Sequence, residues 1–238
     1  MLFLLSNPLF HAYKQSDIFG KGIFLSLIFL SVAVWTVLWH KKVLFSSVLK
    51  DGLHLKELLK KNKLSPFSFE LRSSTPYPFT TLFKAVKSSS LEHFNKNRKN
   101  SSFNSDKNED VMILYPHDIE SLETIIISKL PSSKRFLDTH LVFLSTTVSL
   151  APFLGLLGTV WGILMAFDAF RITGNSSSVV DGLATALGTT VLGLIVAVPA
   201  LIGHNIIKDQ ALAIMIDLEH FGMLLLNTLE IQYGKHDR

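Results

Sequence analysis

The run Thr139–Phe167 contains no Asp, Glu, Lys or Arg and is long enough to cross a bilayer, yet it is rich in glycine and alanine. A helix that faces only lipid has little use for that composition. At 100° per residue, Ala151, Gly155, Gly158, Thr159, Gly162 and Ala166 fall within about a third of the helix circumference. Phe153, Leu157, Val160, Leu164 and Phe167 lie mostly away from that stripe. Lipid tails give helices no hydrophobic drive to associate, so a stripe of small residues serves close helix–helix contact. The segment is built to touch other helices, with the Thr159 hydroxyl on the touching face.

Two further runs have the same capacity. Gly22–Trp39 is uncharged and would measure roughly 27 Å as a helix, about the thickness of the hydrocarbon core. Gly182–Ile207, like the run around Gly155, would extend on the order of 40 Å, so each must project beyond the bilayer or tilt. With 48% hydrophobic residues, the composition fits a membrane protein. The fold class expected is all-α: a polytopic membrane protein with three transmembrane helices, two of them extended into the cytoplasm. The first run exceeds a signal-peptide h-region and no A-x-A-like cleavage site precedes Lys41, so it reads as a retained helix. The chain has no cysteine, which excludes disulfides and thiolate metal sites.

Charge sets the orientation. The net charge is only +4, but 17 of the 23 Lys and Arg residues lie between His40 and Asp138, and Arg171 alone lies between the second and third runs. Positive-inside logic places residues 40–138 in the cytoplasm, residues 1–21 and 168–181 in the periplasm, and the helical tail 208–238 back in the cytoplasm. Transmembrane helices are then expected at 22–39, 139–167 and 182–207, with Trp35 and Trp39 as interface anchors. Leu2–Phe10 would lie along the membrane surface, shortened by Pro8.

The region 40–138 opens with a helical pattern over Val43–Leu59, either a continuation of the first helix or a second one after Gly52. Ser65–Pro78 breaks it. Asn95–Asp110 (NKNRKNSSFNSDKNED) is polar and of low complexity, and a disordered linker is expected there. A helix over Ile119–Leu130 should end at Pro131, with a new one running into the membrane. Ala211, Ile214, Met215, Leu218, Leu225 and Leu229 continue an apolar stripe beyond the third run. It serves either the chain's own cytoplasmic helices or an identical neighbour.

The third run carries its own small face: Ala186, Thr189, Thr190, Gly193, Ala197 and Ala200, with Thr185 at the margin. Joined by about a dozen residues, the two helices should be antiparallel neighbours packing through Gly155, Gly158, Gly162, Gly193 and Ala197. Pro152 and Pro199 are expected kinks that free the carbonyls of Val148 and Ile195. Physics leaves two uses for the hydroxyls: packing alone, or an ion track lined by Thr159, Thr185, Thr189 and Thr190. No carboxylate, lysine or arginine falls within the expected hydrocarbon zone, and Asp168 and Asp181 cap the outer loop. An ion path would need a carboxylate lent by a partner helix.

APFLGLLGTVWGILMAF at 151–167 and GLATALGTTVLGLIVAVPALIGHN at 182–205 resemble the TolQ/ExbB/MotA proton-channel family, most of all its TolQ/ExbB branch. The resemblance covers about residues 140–210, and the order of helices and loops agrees with it. It implies a subunit of a bacterial inner-membrane motor driven by the proton-motive force. Five copies would form the ion-conducting stator around a TolR/ExbD-like single-helix partner whose membrane Asp takes up the proton, with a TolA/TonB-like protein beyond. The partner's Asp would be charged near threonine hydroxyls and protonated against apolar wall. The family's pore threonines match Thr159 and Thr190. Its usual Glu falls at Thr185, which puts the driving ion, a proton or another monovalent cation, in question. The resemblance implies no cofactor and no enzymatic activity.

A non-conducting membrane scaffold is the alternative. An intramembrane enzyme is disfavoured because His140 and His204 sit at helix ends without a nucleophile or carboxylate beside them. No metal-ligand cluster, phosphate-binding loop or nucleic-acid motif is present in the sequence.

Overall fold

The computed structural model describes residues 8–61, 77–104, 112–174 and 176–234. Six helices follow one another: α1 (Pro8–Gln15), α2 (Ile18–Lys61), α3 (Pro78–Asn104), α4 (Pro116–Asp138), α5 (Leu141–Thr173) and α6 (Ser176–Tyr233). Among the described residues there is no strand, only an isolated bridge between Leu114 and Gly234. Three helices, α2, α5 and α6, are long and apolar enough to span a membrane. The all-helical, three-span fold read from the sequence is the fold observed.

Several helix ends differ from expectation. The first membrane-capable helix, α2, begins at Ile18 rather than Gly22, because the Asp17 side chain accepts the Gly20 N–H at 2.9 Å and caps it. It runs through Gly52 without interruption. The expected dozen-residue connection between the second and third spans is mostly helical, since α5 reaches Thr173 and α6 starts at Ser176. Gly174 ends α5 with φ 65°, its N–H bonded to Phe170 O at 2.8 Å. Asp168 therefore lies inside α5, where it pairs with Arg171 at 3.1 Å, and the side chain of Asp181 is outside the described residues.

Pro131 does not end its helix; α4 continues to Asp138 and the chain turns at His140, which has φ 68°. Pro131 is exposed, as is Ile127 at 58%, so the carbonyl that the proline leaves unbonded can be met by solvent. Residues 95–104 of the expected linker belong to α3, while 105–110 lie outside the described residues. Asn97 is buried, and its amide donates to Ile113 O (3.0 Å) and to Asp118 Oδ2 (2.7 Å). Such tertiary bonds sustain a helix whose own composition does not favour it. The surface-helix reading for Leu2–Phe10 falls largely on residues outside those described, and so does the break at 65–76.

The chain divides into two compact units. One comprises residues 1–42 and 140–208, the other 43–139 and 209–238. In the first, Ile23 and Leu27 of α2 meet Ala151 of α5 and Val196 and Ala197 of α6 in a buried cluster. Large apolar side chains such as Phe29, Trp35, Trp39, Phe153, Val160 and Leu187 are exposed on this unit, as spanning helices require.

In the second unit, Ala211, Ile214, Leu218, Leu225 and Leu229 are buried and Met215 is half-buried. The Phe221 ring meets that of Phe79 edge-on, with centroids 5.6 Å apart. The apolar tail stripe thus packs within the chain itself. Asp118 is fully buried there, accepting from the Tyr115 N–H at 2.9 Å and facing His93 Nδ1 at 2.7 Å and His117 Nε2 at 3.1 Å. Burial would raise its carboxyl, but the Tyr115 and Asn97 hydrogen bonds and the His93 and His117 charges outweigh burial and hold it below its ordinary 3.8.

Candidate functional site

The two small-residue faces meet backbone to backbone. A Cβ placed on Gly155 would lie 3.0 Å from both Thr189 O and Thr190 Cα, and one on Gly193 would lie 2.7 Å from Ala151 O. Gly158 is closed over by the Thr189 side chain, with a Cβ 2.6 Å from Thr189 Cβ, and Gly162 by Ala186, at 2.9 Å. Ala197 is buried in the α2–α5–α6 cluster. Only glycine lets α5 and α6 come this near, and that approach puts polar atoms of one helix within reach of the other. Pro152 and Pro199 both lie inside their helices, and neither terminates one.

The four threonines separate into two pairs. Thr189 is 1% exposed; its hydroxyl donates to Ala186 O at 2.7 Å and reaches across to Gly155 O at 3.2 Å. Thr185 is also buried, with its hydroxyl 3.4 Å from Ala12 O of α1. Thr159 and Thr190 are half-exposed. Thr190 donates to Gly155 O at 3.1 Å, and Thr159 donates back to Leu156 O of its own helix at 2.6 Å. With both hydrogens directed to main-chain carbonyls, what Thr159 and Thr190 offer their surroundings is oxygen lone pairs. Such groups receive a protonated carboxyl or a small cation and do little for a bare carboxylate.

The sequence reading missed a carboxylate close to this site. Asp17, between α1 and α2, accepts the Trp161 indole N–H of α5 at 2.9 Å, and Phe19 packs against the Trp161 ring with centroids 4.5 Å apart. An Asp placed just ahead of an apolar run is a helix-start signal, and it would have moved the start of α2 upstream to include this residue. His140 is exposed and lies edge-on to His40 at 6.2 Å. His204 is half-buried. No group of three or more metal-ligating side chains occurs among the described residues.

Comparison with known proteins places this geometry in a family. The model for the MotA/TolQ/ExbB proton channel family matches residues 96–220, more than half of the chain. The biopolymer transport protein ExbB of Salmonella typhimurium strain LT2 is 29% identical over 202 residues, covering 83% of this chain and 76% of that protein. The Tol-Pal system protein TolQ of Haemophilus influenzae is 38% identical over 87 residues, 36% of this chain and 38% of its own length. ExbB of Aquifex aeolicus is 41% identical over 85 residues, 35% of this chain and 57% of its own. With three membrane-capable helices and this match, the protein is a membrane protein belonging to the MotA/TolQ/ExbB proton channel family.

Proposed function

We propose that this chain is the stator subunit of an inner-membrane motor driven by the proton-motive force, assembled as a homo-oligomer, a pentamer by family resemblance, around a TolR/ExbD-like helix bearing a membrane Asp. In that assembly the N-terminus faces the periplasm and 40–138 the cytoplasm. The observation that carries this reading is the pair of half-exposed threonines whose hydroxyl hydrogens are turned into the backbone. They present oxygen to whatever passes, which suits a partner Asp in its protonated state and a cation between steps. The charged state of that Asp would then be satisfied elsewhere, which reverses the sequence expectation of an Asp charged near the threonine hydroxyls and protonated against apolar wall.

Each proton crossing 100 mV releases roughly 2.3 kcal/mol, enough to bias the partner's position at every passage. The force would pass through the partner to the envelope or to outer-membrane transport. The relatives' names, biopolymer transport and the Tol-Pal system, support this role. Reconstitution with the partner in vesicles tests it: an imposed proton gradient should drive proton entry that stops when the partner's Asp becomes Asn. A complex that assembles yet passes no protons would be a scaffold and would end this reading.

A further inference from the structure

We infer that α1 and the turn at Asp17 form a clasp that ties α5 to α6, with Thr185 as its seat on α6. Thr185 is then a positioning residue, distinct in task from the half-exposed Thr159 and Thr190. The clasp stands on contacts within one compact unit of the chain. Only its service to proton entry, by holding the α5–α6 contact that orients Thr190, rests on the motor reading above.

The α6 arm of the clasp is built from small residues. Thr185 is 8% exposed, and its hydroxyl donates to Ala12 O of α1 at 3.4 Å. One turn further along α6, a Cβ on Gly188 would lie 3.0 Å from the Ala12 Cβ, 3.7 Å from Phe24 Cζ and 3.8 Å from Leu9 Cδ2. Thr185 and Gly188 share a helix face, so α1 rests on α6 where no bulky side chain holds it off. Ala12 is buried, and Tyr13 meets Phe24 of α2 edge-on with centroids 5.8 Å apart, a second attachment for α1.

The α5 arm leaves from the same carbonyl. Ala12 O also accepts the Ser16 N–H at 3.1 Å, the bond that turns the chain toward Asp17. Asp17 is exposed, yet both its oxygens are placed: Oδ1 accepts Gly20 N–H and Oδ2 accepts Trp161 Nε1–H of α5, each at 2.9 Å. Phe19 lies against the Trp161 ring, with centroids 4.5 Å apart. The single short stretch Ala12–Asp17 thus reaches both helices. The residues next to its two anchor points are themselves in contact, since a Cβ on Gly162 would lie 2.9 Å from the Ala186 Cβ. A hydroxyl at 185 can donate to Ala12 O, whereas an ionised carboxylate there has nothing to donate. The threonine and the seating of α1 therefore belong together.

The Trp161 indole N–H reports on the clasp with neither partner nor gradient present. With Trp35→Phe and Trp39→Phe, Trp161 is the only tryptophan of the full chain, and its indole N–H gives one NMR resonance in detergent micelles. Asp17→Ala marks where that resonance lies once the carboxylate bond is gone. Ala12→Leu and Gly188→Leu crowd the seat from its two sides, and each should move the resonance to the Asp17→Ala position with helical content kept. Thr185→Val should move it part of the way, and Thr185→Ser should return it. Leu187→Ala, on the exposed side of α6, should leave it in place. The clasp is refuted if the resonance keeps its parental position in either leucine variant that retains its helical content. It is refuted equally if Thr185→Val and Thr185→Ser give one position, or if Leu187→Ala moves the resonance as far as the leucine variants do. Ala12→Leu leaves α6 unaltered and decides the matter should Gly188→Leu not fold. A failure here leaves gradient-driven transport intact, and a failure of transport leaves these resonances as they are.

Discussion

Thr190 donates its hydroxyl to the carbonyl oxygen of Gly155 at 3.1 Å, across the close α5–α6 contact. The bond exists because Gly155 has no side chain: a Cβ there would stand 3.0 Å from Thr190 Cα. Close packing and the orientation of the Thr190 hydroxyl are therefore one property of this pair of helices. Changes that separate the helices should disturb both.

Gly193→Ala tests the packing half. Its Cβ would press on Ala151 O at 2.7 Å, a main-chain atom that cannot rotate away. A loss of about 1–3 kcal/mol is expected, the usual cost of overpacking, read as a lower thermal midpoint of the full chain in detergent. Gly22→Ala, where a Cβ meets nothing within 4 Å, should leave that midpoint in place.

Phe221→Ala tests the second unit. The ring is fully buried against Phe79. Removing it should cost about 3–5 kcal/mol and open the tail to limited proteolysis. Leu212→Ala, on the exposed side of the same helix, should have little effect.

Asp118 should make that unit acid-labile. Its carboxyl titrates lower in the folded chain than its ordinary 3.8, so the unfolded chain binds the proton more readily. The stability it contributes is complete above about pH 5 and is lost as pH falls through the folded value. Asp118→Asn should remove that acid dependence and, by leaving the Tyr115 N–H and His93 without their anionic partner, lower stability at pH 7 by about 2–4 kcal/mol. Hydrogen exchange of α4 at pH 7 and again well below pH 3.8 would report both effects.

The three spans, their small faces and the apolar tail stripe are visible in the sequence because each is a repeating pattern over many residues, whereas the packing of that stripe on its own chain is seen only in the structure. Division of labour among the threonines is not visible in the sequence either. At 100° per residue Thr189 and Thr190 both fall on the small face, and what separates them is the close helix approach at Gly155, which buries Thr189 and leaves Thr190 half-exposed. Residues 95–104 read as a linker because their helix is held by Asn97 reaching Ile113 and Asp118, contacts that no local pattern records. Asp17 escaped notice because it is flanked by polar residues and joined to Trp161, which lies 144 positions away.

Thr159→Val gives the most direct test of the proposed ion path. The change keeps the side chain's volume and removes a hydroxyl whose hydrogen goes only to Leu156 O of its own helix, so assembly should survive. With the partner present in vesicles, gradient-driven proton entry should fall about ten- to a hundredfold, the kinetic equivalent of losing one contact to a charged group at 1.5–3 kcal/mol. Thr159→Ser should restore most of it. Full proton entry in Thr159→Val, with the complex assembled, would contradict the assignment of these hydroxyls to the ion path.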